Sequence, residues 1–232
     1  MSRITWKEGA VVSVAVKGKL RVLLQMLKSP FVAFFSAFSE NDSWDSEVLR
    51  HGTLLFCTAI TNQFLKGSDP RKEPSVLPAE VINVPKYWIK VLDTKGRTVR
   101  IWGGTPMEVE LFRYGEKPGA SLVEKDIYSH YSYPLPVVQE HIALDDHATI
   151  DRYETDGLRT FPLLNERLYL CYKKGRVVDP GKDIMFDRPL DPDYRAYVNM
   201  LAGKGAPETW GYPLPEKTRT KCGARKHNRT GK

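Results

Sequence analysis

The chain has 232 residues, with 35 Lys and Arg against 28 Asp and Glu and a formal charge of +7. At 41% hydrophobic and 27% charged it falls in the globular range, which excludes a fibrous or wholly disordered chain. Its length allows one good core, or one core with a smaller satellite unit. Cys57, Cys171 and Cys222 are too few and too scattered for a disulfide framework or a structural zinc site. The opening residues lack the continuous apolar core of a secretory signal. The most apolar stretch, 22–38, is interrupted by Gln25, Lys28 and Pro30, so no membrane span is expected and the expected location is the cytoplasm.

In chain order, residues 10–16 alternate Val12, Val14 and Val16 with smaller or polar residues, the period of a strand. Gly18, between Lys17 and Lys19, supplies a turn into a return strand over 20–27, and Pro30 breaks that strand before an aromatic run over 31–38. Residues 54–60 form a further strand-length apolar run, with a short helical turn expected over 62–67. Residues 67–78 are rich in Pro, Ser and charge and predict a loop. Trp88 and Ile89 follow Pro85 within the segment 81–92, and a turn over 93–96 leads to a strand over 99–102. Thr105, Pro106 and Glu108 have the order of an N-cap, first helical position and capping box, which predicts a helix to about Arg113, ended by Tyr114 and Gly115.

Beyond Gly119, residues 122–128 suggest a strand and 136–143 a helix. Residues 168–172 and 177–178, flanking Lys173, Lys174 and Gly175, suggest a second hairpin. Asp191 and Pro192 open a helix with Tyr194, Tyr197, Val198 and Leu201 on one stripe, closed by Gly203. The predicted fold is α+β: an N-terminal antiparallel curled sheet or small barrel-like meander with a few short helices packed on it. The predicted organisation is a domain over 1–150, a hairpin-plus-helix extension over 151–205 and a disordered basic tail over 206–232.

The charge is uneven. Residues 216–232 hold seven basic residues against the single acid Glu216, so almost all of the net charge lies there. With scarcely an apolar residue, that segment cannot offset its ordering entropy by burial. It suits weak contact with nucleic acid or another polyanion through phosphates, although no aromatic residue is interleaved to stack on bases.

The densest group of titratable residues is Glu140, His141, Asp145, Asp146, His147, Asp151 and Glu154. In a helix His147 and Asp151 would share a face, as metal ligands can, yet the spacing matches neither a zinc-protease pattern nor a calcium loop. An acidic surface facing a partner is the simpler expectation. Residues 102–106 precede a helix start with two glycines but lack the spacing and lysine of a nucleotide loop, so a tight turn explains them. No Gly-x-Ser-x-Gly elbow is present, and Cys57 and Cys171 lie in apolar runs as core residues do. Lys221 beside Cys222 favours the thiolate of that cysteine. No catalytic constellation, metal site or cofactor site assembles from the sequence; a site built from distant residues stays open.

Trp6, Lys7, Glu8 and Gly9, followed by the strand over 10–16, resemble the opening of the immunity protein 26 family of bacterial polymorphic toxin systems. The strands over 20–27 and 31–38 take the places of that family's second and Phe-rich third strands. Residues 54–60 with 64–68, and then 85–89, resemble its next blocks. The resemblance covers about residues 3–92, reaching toward 145, and has no counterpart beyond about 155. It implies a non-enzymatic protein that binds and neutralises a cognate toxin domain, as in contact-dependent inhibition. Asp145, Asp146, Asp151 and Glu154 would then face a basic toxin such as a nuclease. The alternative is a nucleic-acid-associated module that uses the basic tail.

Overall fold

A computed structural model describes residues 4–91, 98–111 and 118–212. The turn over 93–96, residues 112–115 that close the expected helix, and the segment 216–232 with Cys222 lie outside the described residues.

The chain begins with β1 (Val11–Lys17), β2 (Leu20–Met26) and β3 (Phe31–Ser39), an antiparallel meander as the alternation and turn residues predict. The short α1 (Val48–His51) leads to β4 (Leu54–Ile60), which pairs with β3. The next helix, α2 (Asn62–Gly67), is capped by the Thr61 hydroxyl, which accepts from the Phe64 amide at 3.1 Å. Then come β5 (Arg71–Lys72), β6 (Tyr87–Lys90), β7 (Val99–Ile101), β8 (Val109–Leu111), β9 (Ser121–Glu124) and β10 (Val137–Gln139). The rest holds α3 (His147–Arg152), β11 (Leu158–Arg159), α4 (Leu163–Lys174), α5 (Pro180–Met185) and α6 (Arg195–Leu201).

Among the described residues the largest sheet has the order β11-β4-β3-β2-β1-β5 and curls, with the short helices packed on it, an α+β fold. Side chains of opposite parity feed two cores. Val12, Val14, Val22, Leu24 and Phe34 meet Phe64 of α2, Leu164, Leu168 and Cys171 of α4, and Val198 of α6. Leu23, Phe31, Ala33, Phe35 and Cys57 meet Trp88 and Val123 of a smaller sheet ordered β10-β9-β6. Burial on both faces explains why β2 is a nearly unbroken apolar run. Residues 151–205 contribute to the first core, and β11 adds a parallel edge to the large sheet. No helix among the described residues is long and apolar enough to cross a membrane.

Three expectations fail for identifiable reasons. The helix expected over 105–113 is the turn of the β7–β8 hairpin. Thr105 and Glu108 make cap-like bonds, to the amides of Met107 (3.2 Å) and Gly104 (2.7 Å), but these close a turn in which Trp102 and Gly104 take positive φ. Beyond it, Val109, Glu110 and Leu111 alternate in burial, the period of a strand. The helix expected over 136–143 contains β10, where the β-branched Val137 and Val138 favour extended backbone.

The hairpin expected over 168–178 is helix α4 instead. The segment 163–174 has no β-branched residue, and Leu164, Leu168 and Cys171 recur at helical spacing. Gly175, at φ 62°, is its left-handed C-cap, a role that shares its sequence signature with a hairpin turn. Residues 206–212, assigned to the tail, are ordered as well: Pro207–Trp210 is a 3-10 turn, and the buried Tyr212 donates its hydroxyl to Glu166.

Candidate functional site

The four acidic residues expected to face a partner have different surroundings. Asp145 is exposed. Asp146 is the N-cap of α3: its carboxylate accepts from the Thr149 amide at 3.0 Å, which holds its pKa below the usual value. Asp151 and His147 do share a face of α3, but both turn to Arg188, at 2.6 Å and 2.9 Å. No group of three or more His, Cys, Asp or Glu among the described residues is placed to hold a metal ion.

Glu154 points inward, not toward a partner. It is buried, and both its oxygens accept from Arg167 at 2.8 Å. Arg167 lies in turn 3.2 Å from Asp179 and stacks over the Phe56 ring at 3.9 Å. Burial pulls this guanidinium down, but the charges of Asp179 and Glu154 outweigh it and raise its pKa. The cluster is a buried structural ion network; the acid count along the sequence could not separate it from a solvated face.

A second surface rises from residues that the sequence reading passed over. Residues 125–136 connect β9 to its neighbour β10 and carry Tyr128, Tyr131 and Tyr133, and β10 itself carries Val137 and Val138. Tyr133 is 62% exposed, and Val137 and Val138, which point to opposite faces of the strand, are 55% and 52% exposed. Among the described residues the outer edge of β10 pairs with no strand. An apolar, open edge strand is uncommon on a protein that works without a partner.

The segment is held firmly from below. The Asp126 carboxylate accepts from the Tyr128 amide (2.9 Å) and the Ser129 hydroxyl (2.8 Å), and Lys28 donates to the Tyr128 carbonyl at 3.2 Å. Lys125, itself buried, bonds Asp156 at 2.8 Å and sits 4.9 Å from the Tyr131 ring and 5.9 Å from that of Tyr133. Burial lowers this ammonium, yet the bond and charge of Asp156, with Tyr133, raise its pKa overall, so it is charged at neutral pH. Tyr131 and Tyr133 pack edge to face at 6.2 Å. The rings are thus preorganised while Tyr133 remains open. The signal in the sequence was three tyrosines within six residues ahead of Pro134 and Pro136.

No curated protein and no solved structure matches the chain. The profile of a family described as Domain of unknown function (DUF8309) matches residues 1–189, which takes in everything from β1 through α5. The chain therefore belongs to the DUF8309 family.

Proposed function

We infer that this chain is a non-enzymatic, immunity-type binding protein of the cytoplasm, which neutralises a cognate bacterial toxin domain by covering it with the tyrosine-rich surface at 128–138. The carrying observation is the exposure of Tyr133, in the supported connection ahead of β10, and of Val137 and Val138 on β10, an edge strand with no outer neighbour among the described residues. Tyrosines contribute large contact area at low entropic cost, and a few such anchors dominate interface energies. An open edge can also accept an extended strand from the partner, with main-chain hydrogen bonds adding affinity and register. The resemblance of residues 3–92 to immunity proteins supports the choice of a toxin as partner.

The test is co-expression with a toxin-like domain encoded beside this gene, scored by cell survival and by recovery of a stoichiometric complex. The pair Tyr133→Ser and Val137→Lys is expected to abolish rescue and weaken the complex by about tenfold or more, with the melting temperature unchanged. Rescue that survives this pair removes the surface from the proposal, and absence of rescue by the native chain removes the toxin. Since Asp146 caps α3 and Asp151 holds Arg188, Asp145→Lys is the clean probe of an acidic contribution.

A further inference from the structure

Phe31, Tyr131 and Tyr133 surround one ammonium. The Lys125 Nζ atom lies 5.2, 4.9 and 5.9 Å from the centres of these rings and 2.8 Å from Asp156. It also donates to the Tyr133 hydroxyl oxygen at 3.4 Å. An ammonium offers no lone pair, so the phenol can only accept from it, and the hydroxyl hydrogen turns away from the charge. Lys125 is buried and Tyr133 is 62% exposed, so that hydrogen faces the surface. Tyr133 thus presents a partner with a donor.

The surroundings carry the matching sign. Alternation along β6 sets Lys90 on the face of Trp88, and the Lys90 Nζ lies 5.4 Å from the centre of the Tyr133 ring. The exposed Lys86 sits across from Lys125, whose amide donates to the Lys86 carbonyl at 2.7 Å. Among the acids on this side, Asp156 is bound to Lys125, Asp126 stands near Lys86 and Glu8 faces Tyr128. No carboxylate among the described residues pairs with Lys90, which leaves its charge beside the Tyr133 ring. The main chain next to it is open as well. The Pro136 carbonyl accepts from the Glu124 amide at 2.9 Å, so alternation turns the N–H and C=O of Val137 to the outer edge of β10.

We propose that the tyrosine surface takes an acidic, extended segment of its partner protein, with a carboxylate shared by the Tyr133 hydroxyl and the Lys90 ammonium and the adjoining main chain on Val137. This rests on the reading of that surface as the binding face. A carboxylate gains twice there, as acceptor and as counter-charge. A neutral amide would keep the hydrogen bond and lose the charge, and a basic segment would bring like charge to Lys86 and Lys90. Single-stranded nucleic acid fits less well, because bases need a row of open rings. Tyr131 is partly buried and packs edge to face on Tyr133 at 6.2 Å, which interrupts such a row.

Three end-blocked hexapeptides are the probes, alternating valine with glutamate, glutamine or lysine. Each is titrated at millimolar concentration into the full chain carrying ¹³C-labelled valine methyls and tyrosine rings. The glutamate peptide is expected to shift Tyr133, Val137 and Val138 saturably. The glutamine peptide is expected to bind about tenfold more weakly, the effect of losing a charge-assisted hydrogen bond, and the lysine peptide to give no shifts. Tyr133→Phe keeps the ring and Lys90→Met keeps the stem, so both should fold normally, and each should bring the glutamate peptide toward the glutamine level. Equal binding of the glutamate and glutamine peptides, or undiminished binding by both variants, overturns the proposal and leaves the surface as a binding face of another chemistry. Absent shifts with all three peptides overturn it too, as does tighter binding of a thymidine octanucleotide. The toxin reading fails separately, through loss of rescue in co-expression.

Discussion

Glu154 illustrates how a single residue changes meaning once it is placed. A carboxylate buried against Arg167 is worth little as a pair relative to a well-packed apolar substitute, but removing it strips the buried guanidinium of its two-oxygen partner and leaves it the longer contact to Asp179. Glu154→Ala is therefore expected to cost about 3–5 kcal/mol in urea unfolding. Adding Arg167→Met to it should not recover that loss, because the buried Asp179 carboxylate then loses its nearest cation. A double variant more stable than Glu154→Ala alone would show that Asp179 does not depend on Arg167. Cys57 shows the converse: burial, with the Glu154 charge nearby, pushes its thiol up to about 12, so the core reading from its apolar run agrees with its surroundings.

At the scale of elements, the C-terminal turn of α4 is clasped to the turn ahead of α6. Lys173 and Lys174 reach Asp193 at 2.8 and 2.6 Å, and Lys174 reaches Asp191 at 2.6 Å. Hydrogen bonds from the two lysines depress the Asp193 carboxyl to about 2, and bonds to Asp191 and Asp193 push the Lys174 ammonium up to about 12. A depressed carboxylate adds stability above its ordinary value of 3.8 and loses it as the pH falls through about 2. A raised ammonium adds stability below 10.5 and loses it as the pH rises through about 12. The clasp therefore contributes fully between 3.8 and 10.5 and fades at both extremes. Melting curves of the native chain and Lys174→Met should differ by a small, salt-sensitive margin in that window and converge near pH 2. A margin that persists there would place the stabilisation in the lysine stem instead.

For the molecule as a whole, the large sheet is covered by α2, α4 and α6 on one face and by the smaller sheet on the other. The tyrosine surface lies on the smaller sheet, away from the helices of the opposite cover. Residues 216–232 carry the charge excess, and two functions can be parted by their removal. Deleting them is expected to abolish any salt-dependent binding of DNA or RNA, while survival of cells expressing the toxin and the melting temperature stay unchanged. Loss of toxin neutralisation on deletion would bring the tail into the interface.

The sequence by itself determined the elements whose signals are local. Alternation in Val12, Val14 and Val16, the Gly18 turn and the break at Pro30 lead to β1, β2 and β3, and the Asp191–Pro192 start leads to the helical stretch ending in α6. It failed where one signal serves two structures. Gly175 after two lysines suits a hairpin turn and a helix C-cap alike, and Thr105 with Glu108 closes a β-turn with the bonds of a capping box. Only the tertiary structure decided which carboxylates are buried, because Glu154 meets Arg167 and Asp179 through folding of the chain and not through a pattern along it. The support of Lys125 beneath Tyr131 and Tyr133 depends on the same long-range packing. Periodicity fixes which face a side chain takes, whereas charge pairing and concavity arise from what the fold sets opposite that face.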